Sequence, residues 1–151
     1  MLIIPAIDPK KKIQEMGDNF FSIRLLIAVF MAALNVVILN AAKEGGMENA
    51  NILLVLMGAL FAGLGNYMQT VRPNYFVGIR TPWTLESESV WKLTHRLASK
   101  VWMAGGILIV FLSLLLQDSK LVFIIFFVLV SVMVIVPVVY SYLLLKKERA
   151  G

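Results

Sequence analysis

Residues Gly65–Arg96 read GNYMQTVRPNYFVGIRTPWTLESESVWKLTHR. Asn66, Arg72, Asn74, Arg80, Trp83, His95 and Arg96 fall inside this one stretch, together with Pro73, Gly78 and Pro82. The residues on either side form long runs with scarcely a charge. A polar, turn-rich connection between such runs is the signature of a chain that leaves hydrocarbon, does something at its surface, and re-enters. The chain concentrates its chemical variety here, so its specific work is expected here.

Working outward, four apolar runs emerge. Phe20–Ala42 carries the single charge Arg24, Ile52–Met68 and Val101–Gln117 carry none, and Leu121–Leu145 is the longest. An α-helix rises about 1.5 Å per residue and needs roughly 20 residues to cross about 30 Å of hydrocarbon. The expected fold class is therefore all-α: a polytopic membrane helix bundle with four transmembrane helices near 20–42, 52–68, 101–117 and 121–145. Composition agrees, with 60% hydrophobic residues, 15% charged residues and a mean hydropathy of +0.84. A chain of 151 residues could not hide that much apolar surface in a soluble core. One domain, 1–151, is expected.

Details of the runs refine the picture. Arg24 lies one turn inside the first span and can snorkel to the headgroups, while Asn35 and Asn40 prefer a neighbouring helix or the far interface to lipid. Gly58 with Ala62, and Ala59 with Gly63, sit four apart and allow close helix approach, within the bundle or in a dimer; packing within the bundle is the expected use. Pro137 lies inside the fourth span. It removes a backbone donor, so a neighbour must satisfy the carbonyl it releases, and a static kink is expected.

Charge sets the orientation. With the N-terminus in the cytoplasm, that side receives Lys10, Lys11, Lys12, Arg24, Arg72, Arg80, Lys92, Arg96, Lys100, Lys146, Lys147 and Arg149, and the outside keeps only Lys43 and Lys120. Three basic inner segments against two nearly bare outer turns follow the positive-inside pattern. Both termini and the 69–100 connection are thus expected in the cytoplasm, and the net charge of +5 needs no nucleic-acid partner to explain it. The opening MLIIPAIDPKKK does not read as a signal peptide, because its basic cluster follows the apolar piece.

Within the connection, Arg72-Pro73-Asn74 and Gly78-Ile79-Arg80-Thr81-Pro82 are expected to be ordered, since proline fixes its own φ and extends the residue before it. Gly78 can take a positive φ. Arg72 and Arg80 would present guanidinium forks suited to a carboxylate, a phosphate or a lipid headgroup, or would anchor the loop to backbone carbonyls. Thr84 is the expected N-cap of an amphipathic interfacial helix over Leu85–Lys100, with Glu86 and Glu88 in its first turn. Val90, Trp91, Leu93, Thr94, Leu97, Ala98, Val101 and Trp102 form its apolar face; Glu88, Lys92, Arg96, Ser99 and Lys100 form the polar one, and His95 sits on the boundary. This helix runs into the third span either continuously or with a bend near Lys100. His95 is expected to be a hydrogen-bonded structural residue, with proton handling as the sharper alternative.

Several classes are disfavoured. The chain has no cysteine and one histidine, so disulfide and thiol chemistry are excluded and a histidine metal centre is not expected. No glycine-rich nucleotide loop or cofactor motif is present. A small transporter or channel component would require an ionisable group at mid-membrane, and only Asn35, Ser113 and Ser131 offer polarity there. An enzyme gripping lipid phosphate through Arg72, Arg80 and Arg96 would leave His95 as a general acid or base without a positioned partner.

Gly65-Asn66, Arg72-Pro73-Asn74-Tyr75-Phe76, Gly78-Ile79-Arg80-Thr81-Pro82-Trp83-Thr84-Leu85, Val90-Trp91 and Thr94-His95-Arg96, in that order, resemble the signature of the SdpI family, bacterial membrane proteins named for immunity to a sporulation-delaying toxin. The resemblance is densest from about Gly63 to Gly106, and Ser99 departs from it where a glycine is expected. It implies an integral protein of the bacterial plasma membrane that protects the cell from a secreted, membrane-active peptide toxin. It also implies, from the best-known member, that the engaged protein holds a cytoplasmic transcriptional repressor at the membrane. Asn66, Arg72, Asn74, Arg80, Trp83, His95 and Arg96 would then be binding and loop-shaping residues, with no catalytic or metal role. Longer members carry additional upstream helices, and the chain is expected to be a shorter form without them.

Overall fold

A computed structural model describes residues 18–46 and 50–150; the Pro5–Pro9 linker, Lys10–Lys12 and positions 47–49 lie outside the described residues. The described chain is helical, with no strand: α1 (Asp18–Glu44), α2 (Asn51–Met68), the single-turn-scale α3 (Pro82–Glu86), α4 (Glu88–Leu115) and α5 (Ser119–Ala150). Four of these, all but α3, are long and apolar enough to cross a membrane. Each of the four expected spans falls on one of these helices: α1 and α5 run past the expected bounds at both ends, α4 begins well before its span, α2 adds only Asn51, and Leu116 and Gln117 lie beyond the end of α4.

At the third crossing the amphipathic segment and the span are one unbroken helix of 28 residues, the continuous of the two expected arrangements. Its buried face is also wider than the periodicity suggested. Val90, Trp91, Thr94, His95 and Ala98 are all at most 1% exposed, and Ser99, read as polar-face, is buried too. Protein covers that face around Trp91 and His95, with Val71, Gly78 and Ile79 of the 69–81 connection and Phe20 and Ile23 of α1, whereas Leu93 is left outside at 43% exposure.

α4 is the centre of the bundle, packing most extensively on α2 and next on α5, while α1 leans on α2. The α2–α4 contact is backbone-close because glycines line it. A Cβ on Gly106 would stand 2.5 Å from the Gly58 carbonyl, and one on Gly58 would stand 2.8 Å from the Gly106 carbonyl. Gly63 instead faces Leu26 of α1. Gly58 and Ala62 therefore pack against α4 and Gly63 against α1, as small residues between membrane helices do, while Ala59 is exposed.

Two apolar clusters follow. At one end Phe20 and Ile23 of α1 meet Val71 and Trp91. Along the membrane-spanning part, Leu54, Ile109, Val122, Phe126 and Met133 pack together, flanked by Phe61 and Trp102. Phe61 sits edge-on to Trp102 at 5.5 Å and stacks near Phe126 at 6.2 Å. At the opposite end, the Asn51 side chain donates to the Leu116 carbonyl at 2.8 Å, and the Asp118 carboxylate accepts from the Lys120 and Leu121 N–H groups at the start of α5. Each satisfies backbone groups that a helix terminus leaves open.

Candidate functional site

The connection between α2 and α4 folds into a compact cap on one end of the bundle. Asn74 organises its first half. Its Oδ1 accepts from the Phe76 and Val77 N–H groups, both at 2.7 Å, and its Nδ2 donates to the Arg72 carbonyl at 2.7 Å and to the Val77 carbonyl at 3.1 Å. One amide side chain thus replaces the partners that a strand or helix would supply, which is why a buried asparagine stands here.

The second half is tied to α4. Trp91 and His95 stack at 4.1 Å, with ring planes 16° apart. The Trp91 indole N–H donates to the Val71 carbonyl at 2.8 Å. His95 Nε2 accepts from the Ile79 N–H at 3.0 Å, and His95 Nδ1 lies 2.9 Å from the Trp91 carbonyl. The two bonds together require a neutral ring with the proton on Nδ1, since a backbone N–H cannot be accepted by a protonated nitrogen. His95 is therefore an architectural residue with both nitrogens occupied. Gly78 passes directly beneath it at φ +109°, where a Cβ would come 2.5 Å from Nε2. Only glycine tolerates both the dihedral and the approach.

The helix caps correct the sequence reading. Thr84 does not cap the long helix. Thr81 is the N-cap of α3, and Thr84 is its reciprocal partner in a capping box, with its hydroxyl also donating to the Ile79 carbonyl at 2.8 Å. Ser87 then caps α4, placing Glu88 alone in its first turn. The clue was Pro82, because proline favours the first helical position and so makes the preceding residue the cap.

A third set of contacts fastens the cap to the last turns of α5. The Thr81 and Ser141 hydroxyls lie 3.2 Å apart, Trp83 sits edge-on to Tyr142 at 5.2 Å, and Ser87 and Ser89 donate to the Glu148 carboxylate at 2.9 and 3.0 Å. Arg149 Nη2 donates to both oxygens of Glu86, at 2.6 and 2.9 Å. These contacts, with Phe20 and Ile23 beside Val71, bring the start of α1, the connection and the end of α5 to one end of the bundle. That end carries Arg72, Arg80, Lys92, Arg96, Lys146, Lys147 and Arg149.

The expected site residues thus divide. Asn74 and His95 are buried and shape the cap, and Trp83 is half-buried against α5. Asn66, Arg72, Arg80 and Arg96 are exposed. Arg80 donates to the Tyr75 carbonyl and so braces the loop. Thr81, Thr84, Trp91, Ser141 and Tyr142 complete the assembly and were not singled out from sequence as site residues. Among the described residues no three metal-ligating side chains cluster. The arrangement sets exposed arginines on a hydrogen-bonded cap.

These features define a class: a multi-pass α-helical membrane protein whose second and third crossings are joined by a folded, arginine-bearing cap. Within that class the chain belongs to the SdpI family. A model of the SdpI/YfhL protein family matches residues 70–141, which cover the cap, α4 and most of α5. The chain is also 31% identical over 148 residues to the immunity protein SdpI of Bacillus subtilis (strain 168), a match covering 97% of this chain and 67% of that protein. No solved structure matches.

Proposed function

We propose that this is an immunity-type membrane protein: it protects its cell from a secreted, membrane-active peptide toxin, and its basic end, facing the cytoplasm, holds a transcriptional repressor when the toxin is engaged. The observation that carries this reading is the similarity, over nearly the whole chain, to a protein named for immunity. The cap supports the signalling half. Its backbone is held by Asn74, Trp91 and His95, so a partner docking on the exposed Arg72, Arg80 and Arg96 need order only side chains, not the loop that carries them. Asn66 and Trp83 border the same end, and basic clusters favour the cytoplasmic side.

A transport path finds less support. Asn35 donates to the Met31 carbonyl and Ser131 to the Phe127 carbonyl, each within its own helix, at 2.8 and 2.7 Å. Of the three polar residues considered for such a path, only Ser113 is buried with its hydroxyl unmatched.

The test is expression in a toxin-sensitive bacterium challenged with the cognate toxin. Survival at normal membrane levels of the protein is expected, and full sensitivity at those levels refutes the proposal. Arg72→Gln with Arg80→Gln should leave survival intact while releasing the repressor from the membrane fraction.

A further inference from the structure

A cavity of about 250 Å³ lies where the cap meets α5, lined by Trp83, Tyr142, Leu145, Lys146, Arg149 and Ala150. Tyr142, Leu145, Lys146 and Arg149 recur at helical spacing, so α5 presents them along one face. Trp83 closes the opposite wall from α3. The cavity is therefore amphipathic: two aromatic rings 5.2 Å apart and a buried leucine inside, two cations at the rim.

Its depth is set by the sequence. α5 carries no charge from Leu121 to Leu145 and then reads Lys146-Lys147-Glu148-Arg149. Tyr142 and Trp83 fall at the level where aromatic side chains meet headgroups, and the cations fall at the level of lipid phosphate. Both Glu86 bonds run to Arg149 Nη2, and Arg149 lines the cavity. Lys146 is exposed beside it.

We propose that this cavity is a binding site for the phosphate headgroup of an anionic phospholipid, gripped by Lys146 and Arg149, with the glycerol and upper acyl region against Trp83, Tyr142 and Leu145. The site exists only while α3 rests on α5, so a bound lipid would bridge the cap and the last helix. Glu86 competes with the phosphate for Arg149 and tunes the site. None of this depends on toxin immunity.

The test uses the full chain in nanodiscs of equal phosphatidylglycerol and phosphatidylcholine, with retained lipids counted by native mass spectrometry. Phosphatidylglycerol should be retained in preference. Lys146→Gln and Arg149→Gln should each lower that preference about fivefold, the scale of one basic residue at an anionic surface. Glu86→Gln should raise it, an outcome that misfolding cannot mimic. Equal retention of the two lipids overturns the site, as does a preference untouched by these variants. An equal loss from Lys92→Gln with Arg96→Gln, two exposed cations on α4, would show a diffuse charge effect and also overturn it. Displacement of the lipid by millimolar glycerol 3-phosphate would identify a soluble phosphate ligand and refute the lipid assignment.

Discussion

The indole N–H of Trp102 donates at 2.9 Å to the carbonyl of Met133. Met133 stands four residues before Pro137, so its carbonyl is the acceptor that the missing proline N–H leaves open. Hydrocarbon offers no water to fill that vacancy, and a side chain from the neighbouring helix fills it. Trp102→Phe keeps most of the ring beside Phe61 but strands the carbonyl, which should cost about 1–2 kcal/mol. Pro137→Ala restores a backbone donor, so the same Trp102→Phe change should cost much less in that background. Unfolding of the four proteins in one detergent measures the coupling. Equal costs in both backgrounds would show that the indole bond does not serve the proline.

His95→Phe separates stacking from hydrogen bonding in the cap. The ring can still lie on Trp91, but the Ile79 N–H loses its partner, while the Trp91 carbonyl keeps its helical bond. A destabilisation of about 1–3 kcal/mol is expected for the buried N–H left open. Hydrogen exchange should localise it, with fast exchange at Ile79 and unchanged protection in α2. Gly78→Ala should loosen the same turn, since its Cβ would meet His95 Nε2 at 2.5 Å and its φ of +109° is unfavourable for alanine. Uniform loss of protection across the bundle would contradict a local role.

The helices were legible in the sequence because crossing hydrocarbon demands length and apolarity, and both are read residue by residue. Pro137 even announced its need for an outside donor, although nothing in one dimension pointed to Trp102. The cap was legible as an ordered turn from its prolines and Gly78. Its interior was not. His95 looked like a boundary residue because helical periodicity weighs polarity, and here a polar ring is buried by a loop that returns from sixteen residues earlier. Ser141 and Tyr142 were hidden for a similar reason. They lie about sixty residues beyond their partners Thr81 and Trp83, inside a run whose apolarity suggested only lipid and helix neighbours.

Gly106 should tolerate no side chain. An added Cβ would press on the Ala62 backbone as well as on the Gly58 carbonyl, and backbone cannot swing aside as a side chain can. Gly106→Ala is expected to cost about 1–3 kcal/mol through forced separation of α2 and α4. Gly46→Ala is the control, because nothing lies within 4 Å of its Cβ position. The two should differ clearly in thermal stability in detergent, and matching values would mean that the α2–α4 seam is not close-packed.

The side of the membrane occupied by the cap decides whether a cytoplasmic repressor can reach Arg72, Arg80 and Arg96. The chain contains no cysteine, so each introduced one reports a single position. Lys92 and Lys120 are both exposed, the first beside the cap and the second at the opposite end of the bundle. With the arginine-rich end inside, as the distribution of basic residues favours, an impermeant maleimide added to intact cells should label Lys120→Cys. Lys92→Cys should react only after the membrane is opened. Each variant loses a single charge and stays strongly biased by the remaining cations, so neither substitution should itself invert the protein. The reverse labelling pattern would put the cap outside, where it could meet a secreted toxin directly but could hold no repressor.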